Sequence, residues 1–183
     1  MSEPLRILVV CTYNRTRSVL IGALLDDALR HRGRSATVST AGFAEAGLPA
    51  TPDAVAALAS RGIDASGHLS KRLTEAMVDE ADLIVTAERI HVVRVSADRL
   101  DVFQRAFTLP ELVDLLGIRE PSDTTPMTRW LAKLASHRSP ASYLDTYVPE
   151  VADPTGLSAL AFASAVTEME QWCHQVAEMI STV

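Results

Sequence analysis

Cysteine is scarce in this 183-residue chain: there are two, Cys11 and Cys173. So wide a separation makes no disulfide framework. A long apolar run is also missing, because nothing approaches the ~20 residues that cross a bilayer. The run from Leu5 to Val10 is too short for a signal-peptide core, and Arg6 interrupts it. Excess positive charge is lacking as well. The net charge is -6, which disfavours generic binding to nucleic acid or an anionic membrane. Any attraction for an anionic substrate must come from local groups. The five histidines show no paired ligand spacing and Cys11 has no nearby cysteine, so no metal site is expected. There is no internal repeat and no low-complexity tract. What remains is a chain long enough to bury one core, with 48% apolar residues. These features predict a soluble cytoplasmic protein.

Strand and helix signals alternate along the chain. Leu5 to Val10 (LRILVV) reads as a short buried strand ending at a polar loop. A helix follows from about Ser18 to Arg32, with Leu20, Ala23, Leu24 and Ala28 at helical spacing and Gly33 as its cap. Ala36, Val38 and Thr40 alternate as a second strand. Thr51 and Pro52 open another helix as N-cap and first helical residue, and Gly62 closes it. Asp82 to Thr86 predicts a third strand and Val102 to Thr108 a fourth, with helices after Thr74, Glu88 and Leu109. From about Ser158 a long helix carries Phe162, Val166, Met169, Cys173, Val176 and Ile180 on one apolar stripe. Cys173 on that stripe reads as a core cysteine, the other reading being a resolving thiol or nucleophile. The pattern predicts one α/β domain over 1–183, with a central parallel sheet of about four strands and helices on both faces. Ligands of such sheets sit at the carboxyl ends of the strands, where Cys11 falls.

The polar loop after the first strand reads Cys11-Thr12-Tyr13-Asn14-Arg15-Thr16-Arg17-Ser18. A loop that runs into a helix N-terminus turns several backbone N–H groups inward and makes a nest for an anion. Thr12, Tyr13, Asn14, Arg15, Thr16 and Arg17 are the candidate phosphate-binding positions. The positive end of the helix favours the thiolate form of Cys11. Arg17 supplies a planar fork that grips two phosphate oxygens at once. Ser18 can donate a hydrogen bond to the Cys11 sulfur and so assist it as nucleophile and leaving group. Asn14 suits a left-handed backbone position. The competing reading is a buried cysteine beside a surface arginine.

With its strand before and helix after, this loop resembles that of the low-molecular-weight protein tyrosine phosphatases, a family that includes one class of arsenate reductases. Cys11, Asn14, Arg17 and Ser18 match the family loop. Thr40-Ala41-Gly42 resembles the family's Ser-Ala-Gly, Gly62 to His68 (GIDASGH) matches a further family stretch, and Asp82 to Thr86 matches its next strand. Asp153-Pro154 falls where the family has its general acid, just before the last helix. The resemblance implies a phosphatase-I-like fold and a phosphomonoester hydrolase working through a cysteinyl-phosphate. Cys11 would be the nucleophile, Arg17 the clamp and Asp153 the proton donor; for Asp153 a plain turn is the other reading. Asn14, Thr40 and His68 would support the loop. No cofactor is called for, and the implied partner is an aryl phosphate or a phosphotyrosine protein.

Several positions depart from the family pattern. Tyr13 replaces a glycine, Thr16 replaces a second cysteine, and Arg15 adds charge at the rim. Thr155 stands where tyrosine-specific members carry an aromatic that stacks on the substrate ring. The chain also carries an insert at about 119–148, read as a Pro/Ser/Thr-rich loop, a short helix with Trp130 and Leu134, and another loop. Either Trp130 or Tyr143 folds over the pocket as an aromatic wall, or Trp130 anchors the insert to the core. Two functions compete with hydrolysis: arsenate reduction with an external thiol, and non-catalytic phosphate or phosphoprotein binding. A papain-like hydrolase needs a different fold around its Cys and His.

Overall fold

A computed structural model describes residues 4–97, 99–118 and 127–181. The elements are β1 (Leu5–Cys11), α1 (Arg17–His31), β2 (Ala36–Gly42), α2 (Pro52–Ala59), α3 (Glu75–Glu80), β3 (Leu83–Thr86), α4 (Arg89–Ser96), α5 (Leu100–Phe103), β4 (Ala106–Thr108), α6 (Leu109–Ile118), α7 (Met127–Leu134) and α8 (Ala159–Ser181). The four strands form one sheet in the order β2-β1-β3-β4, and all three pairings are parallel.

Period-two alternation sorts the strand side chains between two cores. Ile7, Val9 and Cys11 of β1 face one apolar cluster, where they meet α1, α2, α6, α7 and α8. Leu8 and Val10 face the other, with residues of α3, α4 and α5. Both faces of β1 are therefore covered, which is why LRILVV reads as a nearly continuous apolar run. The expected stripe of α8 faces the first cluster in full, from Phe162 to Ile180. Among the described residues no helix is long and apolar enough to cross a membrane.

The fourth strand begins later than the sequence pattern suggests. Val102 and Phe103 belong to α5, and the strand itself is Ala106–Thr108. Val102 and Phe103 are neighbours that both face the second cluster. A strand would send them to opposite faces, whereas one helical turn buries both. Ala106 and Phe107 do split between the two clusters, as strand residues must.

Thr51 holds the N-cap position of α2, with extended backbone, but no side-chain cap bond forms. Its hydroxyl instead lies 3.1 Å from Thr16 Oγ1, in the loop after β1.

The described part of the 119–148 segment packs against the body. The Pro/Ser/Thr-rich portion at 119–126 lies outside the described residues. Trp130 of α7 is 3% exposed and packs in the first cluster, and Tyr143 is 3% exposed in the second. The anchor is polar. Arg138 Nε sits 2.9 Å from Glu111 Oε1, and the Tyr143 hydroxyl donates to Glu111 Oε2 at 2.6 Å. The Arg138 guanidinium also stacks on Phe103, Phe107 and Tyr143. Beyond this knot the chain returns to the sheet, where Thr108 Oγ1 donates to the Pro149 carbonyl at 2.6 Å and Val151 N to that of Ala87 at 2.8 Å. The insert thereby delivers the following residues to the carboxyl ends of β1 and β3.

Candidate active site

The order β2-β1-β3 places strands connected in opposite directions on either side of β1. The crevice outside their carboxyl ends is where open parallel sheets bind ligands. Cys11 ends β1 there, and α1 starts six residues on. Between them the loop packs against β2 so closely that a Cβ at Gly42 would meet Asn14 N at 2.8 Å, Thr12 O at 2.8 Å and Tyr13 C at 3.0 Å. Only glycine leaves that space, a physical reason for Gly42 in the Thr40-Ala41-Gly42 stretch. The Phe43 and Ala44 amides both donate to the Thr12 carbonyl, at 2.8 and 2.9 Å.

Cys11 Sγ accepts from the Asn14 backbone N–H at 3.2 Å and lies 3.1 Å from Ser18 Oγ. Asn14 has φ 52°, a left-handed conformation that Asn tolerates better than most residues. Its Nδ2 donates to Ser18 Oγ at 2.9 Å, and its Oδ1 accepts from the Lys71 amide at 2.8 Å. With Nδ2 already donating to it, Ser18 directs its own hydroxyl proton at the sulfur. His68 Nε2 donates to the Asn14 carbonyl at 2.8 Å. Thr40 takes a different place: its methyl lies where a Cβ on Gly22 would approach to 2.5 Å, so it packs β2 against α1.

Arg17 is almost entirely buried and held on several sides. Nη1 lies 2.5 Å from Glu88 Oε1 and donates to the Val151 carbonyl at 3.3 Å, and Nη2 lies 3.2 Å from Asp153 Oδ2. Asp153 also accepts from the Thr155 amide at 3.0 Å, a tight turn that fixes its carboxylate. Cys11, Tyr13, Thr16, Arg17, Asp153 and Thr155 line one small cavity. The loop, Arg17 and Asp153 are thus brought together from opposite ends of the chain. Arg15 turns aside, with its Nε donating to the Pro49 carbonyl at 2.8 Å. Trp130 and Tyr143 do not line this cavity, and neither forms its wall.

Two residues of the site were not singled out in the sequence. Glu88 pairs with Arg17 from the start of α4, and His91 stands below the loop. The Glu88 amide donates to His91 Nδ1 at 3.2 Å, which places the ring proton on Nε2, 3.0 Å from Thr12 Oγ1. Burial lowers the His91 pKa from its ordinary value to about 4, with Arg17 and Arg94 acting in the same direction and Glu88 opposing them. The ring is therefore neutral. Phe43 stacks on it at 5.5 Å. The available sequence signal was position: Glu88 follows β3, whose carboxyl end abuts that of β1. Cys173 is fully buried, and its surroundings push the thiol upward so that it stays protonated.

Fold and site together define a class: a parallel α/β protein with a thiol set at the start of the loop between its first strand and first helix. Residues 6–125 match the family described as low molecular weight phosphotyrosine protein phosphatase, and the chain belongs to that family. It is 45% identical over 80 residues to the probable low molecular weight protein-tyrosine-phosphatase EpsP of Ralstonia solanacearum, covering 43% of this chain and 52% of that one. It is 35% identical over 108 residues to the protein-arginine-phosphatase of Bacillus subtilis, covering 58% and 71%. The matched part thus spans about half the length of the first of these relatives. Among solved structures, a YwlE mutant from Bacillus subtilis superposes with a TM-score of 0.74 at 26% identity, covering 96% of this chain and 98% of that one.

Proposed function

We propose that this protein hydrolyses phosphomonoesters through a cysteinyl-phosphate on Cys11. The observation that carries the reading is the sulfur's setting. One backbone N–H and one hydroxyl point at Sγ, at 3.2 and 3.1 Å, and the Arg17 guanidinium lines the same cavity.

In the first step the Cys11 thiolate attacks phosphorus, the S–P bond forms and the ester P–O bond breaks. Protonated Asp153 gives its proton to the departing oxygen. The loop amides from Thr12 to Arg17 and the Arg17 fork hold the equatorial oxygens as charge redistributes. Glu88 and the Val151 carbonyl occupy Nη1, so the Nε–Nη2 edge faces phosphate and Nη2 exchanges Asp153 for a phosphate oxygen. Ser18 stabilises the sulfur as it leaves. In the second step Asp153 takes a proton from water, the water oxygen attacks phosphorus, and the S–P bond breaks to release inorganic phosphate and thiolate. The cycle needs a reduced Cys11, which suits a cytoplasmic setting.

The test is hydrolysis of phenyl phosphate without added metal across pH, for wild type beside Cys11→Ser and Asp153→Ala. A bell-shaped wild-type profile, abolished by Cys11→Ser and weakened by Asp153→Ala, supports the mechanism. No turnover by folded wild type refutes it.

A further inference from the structure

Five of the six residues lining the Cys11 cavity present a thiol, hydroxyls, a guanidinium or a carboxylate. The sixth is Tyr13. Its side chain is 62% exposed, although large aromatics are usually well covered. No stacking partner and no hydrogen bond of its hydroxyl is found among the described residues, whereas Phe43 and Tyr143 are both engaged. The backbone carries Tyr13 without strain, since Asn14 and Ala97 are the non-glycine residues at positive φ among those described. Its main chain rests on Gly42, which holds the residue in register at the cavity mouth.

None of the other lining residues is aromatic. Thr16 and Thr155 are small, and their hydroxyls are 3.5 Å apart, with Thr16 also joined to Thr51. Trp130 and Tyr143 are spent in the core. We infer that Tyr13 is the specificity-determining wall of the site: its ring stacks on a planar leaving group whose phosphate is seated over Cys11. The inference rests on the hydrolase reading above. A phenyl ring and a guanidinium are both flat and both stack on tyrosine, so an aryl phosphate and a phosphoarginine share the chemistry recognised.

Inhibition and turnover together test this wall. Phenylphosphonate and inorganic phosphate are each titrated as inhibitors of wild type, Tyr13→Phe and Tyr13→Ala. A stacking wall predicts that Tyr13→Ala weakens phenylphosphonate about tenfold. Inorganic phosphate then shifts less than about twofold, and Tyr13→Phe retains most of the discrimination. Direct binding of the same two ligands, followed by calorimetry, gives the same comparison in any variant too slow to assay. Turnover of phenyl phosphate and of phosphoarginine then separates the two sources, because the natural leaving group is the one whose kcat/KM falls in Tyr13→Ala. Equal weakening of both inhibitors, or of neither, overturns the wall. Loss of all wild-type turnover with binding discrimination intact would overturn the hydrolase reading instead.

Discussion

Glu88 Oε1 lies 2.5 Å from Arg17 Nη1, joining the first turn of α1 to the start of α4 beneath the loop that follows Cys11. With Arg17 nearly buried, this carboxylate sets the plane of the guanidinium before any ligand arrives. Glu88→Ala should lower kcat/KM for phenyl phosphate roughly 100-fold, the scale of a misplaced clamp. Glu88→Gln, which still accepts from Nη1, should retain more. Steady-state kinetics beside a thermal melt separates this from unfolding. Equal activity in Glu88→Ala and wild type would show that Arg17 orients without it.

Asn14 combines a buried hydrogen-bonding side chain with a left-handed backbone. Asn14→Ala strands Ser18 and the Lys71 amide and leaves at φ 52° a residue that tolerates the left-handed region less well than Asn. It should cost about 2–4 kcal/mol. Asn14→Gly relieves the backbone but not the missing bonds, so its loss should be smaller. Urea titration of both variants measures the difference, and equal losses would refute a backbone contribution.

His91 is held neutral, with its pKa lowered to about 4 by burial. Unfolded chains take up this proton near pH 6.5, so between about 6.5 and 4 the unfolded state binds more protons than the folded one. The contribution is fully present above pH 6.5 and is lost as pH falls towards 4. Melting temperature should drop across that window, and His91→Gln should flatten this part of the drop. Parallel curves for the two proteins would contradict a neutral buried His91.

Arg138 and Glu111 form a pair that is at most 10% exposed. Removing one partner from such a pair leaves a buried charge and costs about 3–5 kcal/mol. Arg138→Ala should therefore lower the melting temperature by about 10 °C. Activity at 20 °C should fall too, because this knot precedes the segment that brings Asp153 to Arg17. Thermal melts and kinetics of one sample test both effects.

Cys173 is fully buried on α8, with its Sγ 3.6 Å from the Ile21 carbonyl. Iodoacetamide followed by peptide mass spectrometry should find the native protein modified at Cys11 and not at Cys173. Both should react in denaturant. A native adduct at Cys173 would show that the stripe opens.

The candidate loop was legible because its information is local. A strand, a six-residue step from Cys11 to Arg17 and a helix are contiguous, so the loop is set by those elements alone. The α8 stripe and the parallel α/β class were legible for the same reason: side-chain period follows backbone geometry. Val102 and Phe103 misled because an apolar pair is compatible with either a strand or a helical turn, and only a core on one side of the sheet selects the turn.

By itself the sequence determined the local layout: Cys11 at the end of the first strand, Arg17 six residues on, and a helix after them. Tertiary structure alone decided who surrounds them. It brought Glu88 to Arg17 and His91 under Thr12 across more than seventy residues. It drew Thr51 away from capping α2 to Thr16, committed Trp130 and Tyr143 to the core, and left Tyr13 at the cavity mouth. The reason is physical. A residue's own backbone preference is written in its neighbours along the chain, whereas its partners depend on how the helices close over the sheet.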